Sequence, residues 1–129
     1  MKNSLLSFSI LVSIFMVSCK KETKVTPHDP AAPKSINVEY RVQSESGMVN
    51  VTYVAPDASG KLVTQKVAVN RTTYSNNFNA TNGNFFSVEA SNINPSHKVV
   101  QVQIFIDGVL FKEGTTTDPT VKAIASGNY

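Results

Sequence analysis

From residue 35 onward, apolar and polar side chains alternate along the chain with a period of two. Such alternation is typical of a β-strand with one buried face. Residues 100–106 show it best, with Val or Ile at every even position and Gln or Phe at every odd one. The same pattern, complete or shortened, occurs in eight segments: 36–42, 49–55, 63–69, part of 70–84, 86–90, 99–106, 109–113 and 121–125.

Short turn sequences separate these segments. Asp107-Gly108 stands between two apolar runs, and it predicts a β-hairpin because both central residues of a type I′ turn need positive φ. Residues 56–60 (PDASG) predict another turn. We expect the segments 36–42, 49–55 and 63–69 to form an antiparallel meander.

The segment 70–84 is less regular. Tyr74 and Phe78 are four residues apart, which would suit a helix, but the surrounding Thr, Asn and Ser are poor helix formers. We therefore predict a short strand with loops. Seven or eight strands with turns between them predict an all-β fold, an antiparallel β-sandwich of Ig-like form over residues 35–129. A small closed barrel is the alternative.

The N-terminus has a different pattern. Lys2 precedes an apolar run, residues 5–18, that ends at Cys19, the only cysteine. The run is shorter than the roughly 20 residues of a spanning helix, and the three parts resemble a bacterial lipoprotein signal. We expect cleavage between Ser18 and Cys19, so that residues 1–18 are a signal peptide. An uncleaved membrane helix is the alternative.

The residues before the cysteine, 16–19 (MVSC), resemble a lipobox, with Met16 where leucine is usual. The small Ser18 gives a peptidase access to the bond, and the thiol of Cys19 accepts a diacylglycerol. Several acyl chains (palmitate, for example) anchor a protein durably, unlike a single chain. We expect the mature protein to be held in a membrane by lipid on Cys19.

Residues 19–34 combine prolines and lysines with few apolar residues, which predicts a flexible linker. Lys20 occupies the position at which Asp would resemble an inner-membrane retention signal. We therefore expect the outer membrane. The tract 20–22 (KKE) resembles a surface-export signal, and whether the domain faces the periplasm or the exterior stays open.

Charge and composition exclude several classes of partner. The chain has 129 residues and a formal net charge of +3, with charged residues interspersed along it. Nucleic-acid binding needs clustered Lys and Arg, so no nucleic-acid partner is expected. A single cysteine also excludes an internal disulfide.

The sequence offers few residues for catalysis or metal binding. His28 lies in the linker and His97 in a loop, without the spacing of a transition-metal site. Asp57, Asp107 and Asp118 fall in turns, where carboxylates bind nearby amides, although a loop Ca²⁺ site is conceivable. No nucleophile motif or phosphate loop occurs. We expect no enzyme activity and no cofactor.

The aromatic side chains are the remaining candidates for a ligand site. Tyr74, Phe78 and Phe85 are close in sequence and could form a patch that binds a glycan or lipid. A core role for these rings is the alternative, and a chain without Trp favours it.

Several strand motifs resemble the small β-sandwich domain of the MmpS membrane proteins and related bacterial lipoproteins. They are residues 38–42 (VEYRV), 49–53 (VNVTY), 86–90 (FSVEA), 102–108 (VQIFIDG) and 123–127 (AIASG), with Tyr74-Ser75 in place of a common Trp-Ser pair. The resemblance implies the sandwich fold and an accessory role beside RND-type envelope transporters. MmpS proteins differ in having a transmembrane helix and usually a cysteine pair. We thus expect a non-catalytic interaction module, with a transporter accessory or a glycan- or lipid-binding module as alternatives.

Overall fold

A computed structural model of the chain describes residues 32–94, 96 and 99–129. The predicted signal peptide, Ser18, Cys19, His28, His97 and most of the linker lie outside these residues. None of the described residues forms a helix long and apolar enough to cross a membrane. Eight strands account for most of the described chain: β1 (Ser35–Ser44), β2 (Val49–Pro56), β3 (Leu62–Val69), β4 (Thr73–Thr81), β5 (Phe85–Asn92), β6 (Val100–Ile106), β7 (Val109–Thr116) and β8 (Ala123–Asn128).

The strands form two antiparallel four-stranded sheets, which confirms the predicted β-sandwich. Sheet I has the order β4-β1-β6-β7, and sheet II has the order β3-β2-β5-β8. The inward side chains of both sheets meet in one core, as expected when every strand has one apolar face. Val, Ile, Ala, Tyr and Phe side chains from six of the strands are buried there, and Tyr74 and Phe78 of β4 and Phe111 of β7 pack against them.

The predicted meander is wrong in one respect. β2 and β3 pair as expected, but β1 pairs with β4 and β6 and lies in the other sheet from β2. Alternation shows which face of a strand is buried and does not show which strand lies beside it. The sandwich buries the apolar faces of β1 and β2 by placing them in opposite sheets.

The predicted hairpin between β6 and β7 is confirmed. Ile106 pairs with Val109 across a two-residue turn, in which Asp107 has φ 50° and Gly108 has φ 81°. The Oδ1 atom of Asp107 also accepts a hydrogen bond from the backbone N–H of Asn37, at 2.9 Å. This bond fixes the turn against the start of β1.

Several strands have limits that differ from the prediction, among them β7, which continues to Thr116, and the strands β4 and β8. β4 is a full nine-residue strand, because all of its residues pair in register with β1. β8 begins at Ala123, after an exposed Val121, and continues to Asn128. In both cases pairing with a distant strand decides the limits, since the local sequence contains a mixture of strand and turn residues.

Candidate functional site

One long side of the sandwich, where β7 and β8 approach each other, is closed. The backbone of Ile124 in β8 lies so close to Gly114 in β7 that no Cβ atom would fit there. Farther along, the rings of Phe111 and Tyr129 meet edge to face, with centroids 5.3 Å apart. These contacts join the two sheets and cover the edge between them.

The opposite long side is open and is formed by the edge strands β3 and β4. Among the described residues, each of these strands pairs with a neighbour on one side only. A groove of about 250 Å³ is lined by the end of β3 and by Tyr74. A second groove, of about 290 Å³, is lined by Leu62 and by residues 79–81. The grooves lie toward the two ends of β4, and every odd-numbered residue of the strand is exposed.

Two hydrogen bonds show which backbone groups of β4 are free. The N–H of Ser44 donates to the C=O of Thr72 at 2.8 Å, and the N–H of Asn82 donates to the C=O of Lys34 at 3.0 Å. In an antiparallel pair, residues bonded to the neighbouring strand alternate with residues whose backbone groups point away from it. The even-numbered residues of β4 therefore bond to β1. The odd-numbered residues direct their N–H and C=O groups to the open edge, and in the described part of the chain only the C=O of Thr81 has a partner there, the side-chain amide of Asn84 at 3.0 Å. These residues are Thr73, Ser75, Asn77, Asn79 and Thr81.

The free edge of β4 carries none of the features that usually block strand addition. Native edge strands are typically short, bulged, or protected by Lys or Pro. β4 has nine residues with no charged residue and no proline, and its register with β1 is unbroken. It is therefore a long, uncharged template for another strand.

β3, on the same open side, is protected. The N–H of Asp57 donates to the C=O of Lys61 at 2.8 Å, so the even-numbered residues of β3 face its free edge. Lys66 is one of these, and its side chain is exposed. Lys61 directly precedes the strand, and Arg71 lies in the connection between β3 and β4. A second strand approaching β3 would have to accommodate these charges, which makes β4 the available edge.

Charges next to β4 on the outer face of sheet I are paired with each other. Arg41 donates two hydrogen bonds to the carboxylate of Glu39, at 2.6 and 2.9 Å, and these hold the pKa of Glu39 below its ordinary value. Ser75 of β4 also donates to Glu39, at 3.0 Å. The Arg41 guanidinium lies 4.2 Å from the centroid of the Phe105 ring. Arg71 lies beside Thr73 and Ser75 at one end of the strand, and the rest of the surface beside the β4 edge is polar with little net charge.

The three aromatic residues predicted as a ligand patch lie in two places. Tyr74 and Phe78 share the inward face of β4, and Phe78 meets the ring of Tyr40 edge to face at 5.3 Å. Burial and a hydrogen bond with Tyr53 raise the pKa of Tyr74. Phe85 is 49% exposed at the start of β5, in the other sheet. The structure thus brings Tyr74 and Phe78 together against the core and keeps Phe85 apart from them.

The turn aspartates bind backbone amides, as predicted. Asp57 accepts from the N–H groups of Ser59 and Lys61 at 2.8 and 3.1 Å, and Asp118 accepts from Thr120 at 2.8 Å. Hydrogen bonds from the Ser59 and Thr120 hydroxyl groups, at 2.6 and 2.7 Å, together with these amide bonds lower the pKa of both carboxyl groups. Within the described ranges, no three His, Cys, Asp or Glu side chains are grouped as a metal site.

Sequence reasoning missed the β4 edge. The uncharged, proline-free run 72–81 was a usable signal, but the order of strands decides which of them has a free edge. No protein-family model matches the chain, and a search of curated proteins finds no significant match. The resemblance to MmpS domains therefore stays a prediction that rests on its strand motifs.

Proposed function

We propose that this chain is a lipid-anchored, non-catalytic interaction module of the bacterial envelope, which binds a protein partner by adding one of its strands to β4. The observation that carries the proposal is the free edge of β4, which is long, uncharged and unprotected. Four residues (73, 75, 77 and 79) present free N–H and C=O groups along it, and Thr81 presents its N–H while its C=O accepts a bond from Asn84. Backbone hydrogen bonds to an added strand supply affinity in this mode of recognition.

An unprotected edge is a hazard for a folded protein, because it also invites aggregation. β3 shows the usual protection by lysine, and the closed side shows the alternative of covering an edge. β4 lacks both. A strand that stays open in such a setting is best explained by a partner that occupies it.

The proposed anchor supports the same function. Lipid on Cys19 and a flexible linker over residues 19–34 would confine the domain to a layer near the outer membrane. Confinement raises the effective concentration of two membrane components for each other. A weak strand addition could thus be sufficient in the envelope.

A site-specific crosslinking experiment tests the proposal in intact cells. A photoreactive residue is placed at Ser75 of the full-length protein, with or without Asn77→Lys on the β4 edge. The matched control is Thr115→Lys, an exposed polar position on β7 of the same sheet. We expect an adduct that is retained with Thr115→Lys and lost with Asn77→Lys, because a lysine on the free edge opposes strand addition.

Two results would count against the proposal. One is the absence of any adduct from Ser75 in the unsubstituted background. The other is an adduct that survives Asn77→Lys as well as Thr115→Lys, since that complex would not depend on the β4 edge.

A further inference from the structure

We infer that the strand added to β4 is β4 of a second copy of this chain, antiparallel to the first, with the two-fold axis at Asn77. The inference rests on the proposed function and names its partner. The resulting sheet would have eight strands in the order β7-β6-β1-β4-β4-β1-β6-β7. This order places the unprotected edge of each copy in the interior of a larger sheet.

Hydrogen-bond geometry selects the register. Only the odd-numbered residues of β4 have free backbone groups, so odd residues must face odd residues across the interface. With Asn77 on the axis, Asn77 faces its counterpart, Ser75 faces Asn79, and Thr73 faces Thr81. The free backbone groups of all five residues then face partners, and the C=O of Thr81, which accepts a bond from Asn84, has a second lone pair for the N–H of Thr73. A shift in either direction leaves backbone groups unpaired at the ends.

The side chains of β4 are complementary to themselves in this register. On the outer face, amides and hydroxyls meet one another, and such cross-strand pairs stabilise a sheet. On the inner face, the large Tyr74 lies opposite the small Ala80, and Asn76 lies opposite Phe78. Tyr74 and Ala80 line the two different grooves beside β4. The pairing therefore brings the groove with Tyr74 in one copy next to the groove with Ala80 in the other.

Charge also favours a second copy over a charged partner strand. β4 has no charged residue, and the nearest charges on its outer face, Glu39 and Arg41, are bonded to each other. Arg71 is an exposed charge at one end of this edge, but along the rest of β4 a charged strand would gain no ion pair and would lose hydration. An identical uncharged strand has neither disadvantage, and copies anchored in the same membrane are already concentrated near one another.

One introduced cysteine at a time, in the full-length protein, tests whether the partner of β4 is a second copy and which residues of the two copies face each other. Membranes carrying Asn77→Cys are treated with a short thiol-to-thiol crosslinker, and the unsubstituted chain is the control for Cys19. Two Asn77 residues would be about 5.5 Å apart between Cα atoms, whereas two Thr73 residues would be roughly 27 Å apart. We expect at least about tenfold more homodimer from Asn77→Cys than from Thr73→Cys.

Two differently substituted copies, mixed in the same membrane, supply the positive control for the register between the two β4 strands. Thr73→Cys on one tagged copy and Thr81→Cys on a differently tagged copy should crosslink to each other, while either alone should not. All three positions are exposed, so the folded domain should tolerate the substitutions.

The outcomes separate this inference from the proposed function. Equal crosslinking from Asn77→Cys and Thr73→Cys would overturn the register. Absence of a homodimer, together with an adduct from Ser75 that Asn77→Lys removes, would overturn the second copy as partner and leave strand addition intact. Absence of both products would overturn the inference and the proposed function together.

Discussion

Tyr40 connects the two sheets through its hydroxyl group. The side chain is fully buried on β1, and its Oη atom donates a hydrogen bond of 2.6 Å to the carbonyl of Val54 on β2. Burial raises the pKa of Tyr40, and a backbone hydrogen bond from Ser87 acts in the opposite direction. The ring itself packs against Tyr53 and Phe78. Tyr40 therefore combines apolar packing with the polar link between the sheets.

We expect Tyr40→Phe to lower the free energy of unfolding by about 1–3 kcal/mol, because it leaves the part-buried carbonyl of Val54 without its partner. Urea unfolding of the domain, residues 32–129, measures the change. Tyr129→Phe removes a hydroxyl from a ring that is 47% exposed and is the matched control. Equal stability of the two variants would show that the hydroxyl of Tyr40 contributes nothing.

The raised pKa of Tyr40 also predicts the direction of a pH effect. A tyrosine whose pKa is higher in the folded than in the unfolded state stabilises the fold fully below the unfolded pKa, about 10. That stability is lost as the pH rises above this value. Tyr74 adds an effect of the same sign, so Tyr40→Phe should reduce the alkaline loss of stability without abolishing it.

At the scale of single residues, the sequence predicts which side chains are buried, but it does not predict which residues they contact across the core. The alternation in residues 36–42 identifies Tyr40 as an inward-facing residue. Its hydrogen bond joins it to a residue of the opposite sheet, and no local pattern shows which strand lies across the core.

At the scale of the elements, the contact between β7 and β8 depends on Gly114. The atoms that leave no room for a Cβ there belong to the backbone of Ile124. Backbone in a paired strand cannot move aside as a flexible side chain can. The glycine thus allows the last strand of sheet II to lie against the last strand of sheet I.

We expect Gly114→Ala to destabilise the domain by about 1–3 kcal/mol, the usual range for overpacking. Thr115→Ala, at the adjacent exposed position of the same strand, is the control and should have a small effect. Thermal or urea unfolding of both variants gives the comparison. A Gly114→Ala domain as stable as the control would mean that β7 and β8 can separate at little cost.

Strand existence follows from sequence better than strand order does. The hairpin of β6 and β7 is predictable because Asp107-Gly108 is a local signal. The assignment of β1 and β2 to different sheets is not, and neither is the free edge of β4, because both depend on pairings between residues far apart in the chain. The candidate site is for this reason a product of topology and not of a motif.

For the whole molecule, the proposed lipid anchor and the proposed interface serve one purpose. The anchor keeps copies in a shared layer, and the β4 edges join them there. We expect Cys19→Ser to leave the domain folded, since the core of the described chain lies within residues 36–125. The same substitution should transfer the protein from the membrane fraction to the soluble fraction.

Cell fractionation measures that transfer, and the unfolding temperature of the released domain is the control for folding. A Cys19→Ser protein that stays in the membrane fraction would show that the apolar run of residues 5–18 is itself the anchor.

Amide hydrogen exchange along β4 tests the central claim most directly. In the full-length protein reconstituted in lipid vesicles, the even-numbered residues of β4 are protected by β1 in every case. If the edge is paired, the odd-numbered residues 73–81 exchange as slowly as the even ones, and Asn77→Lys makes them fast. The measurement is repeated at several amounts of protein per vesicle. If the odd-numbered amides of the unsubstituted protein exchange rapidly at every one of them, the edge of β4 is unoccupied and the proposed strand addition is contradicted.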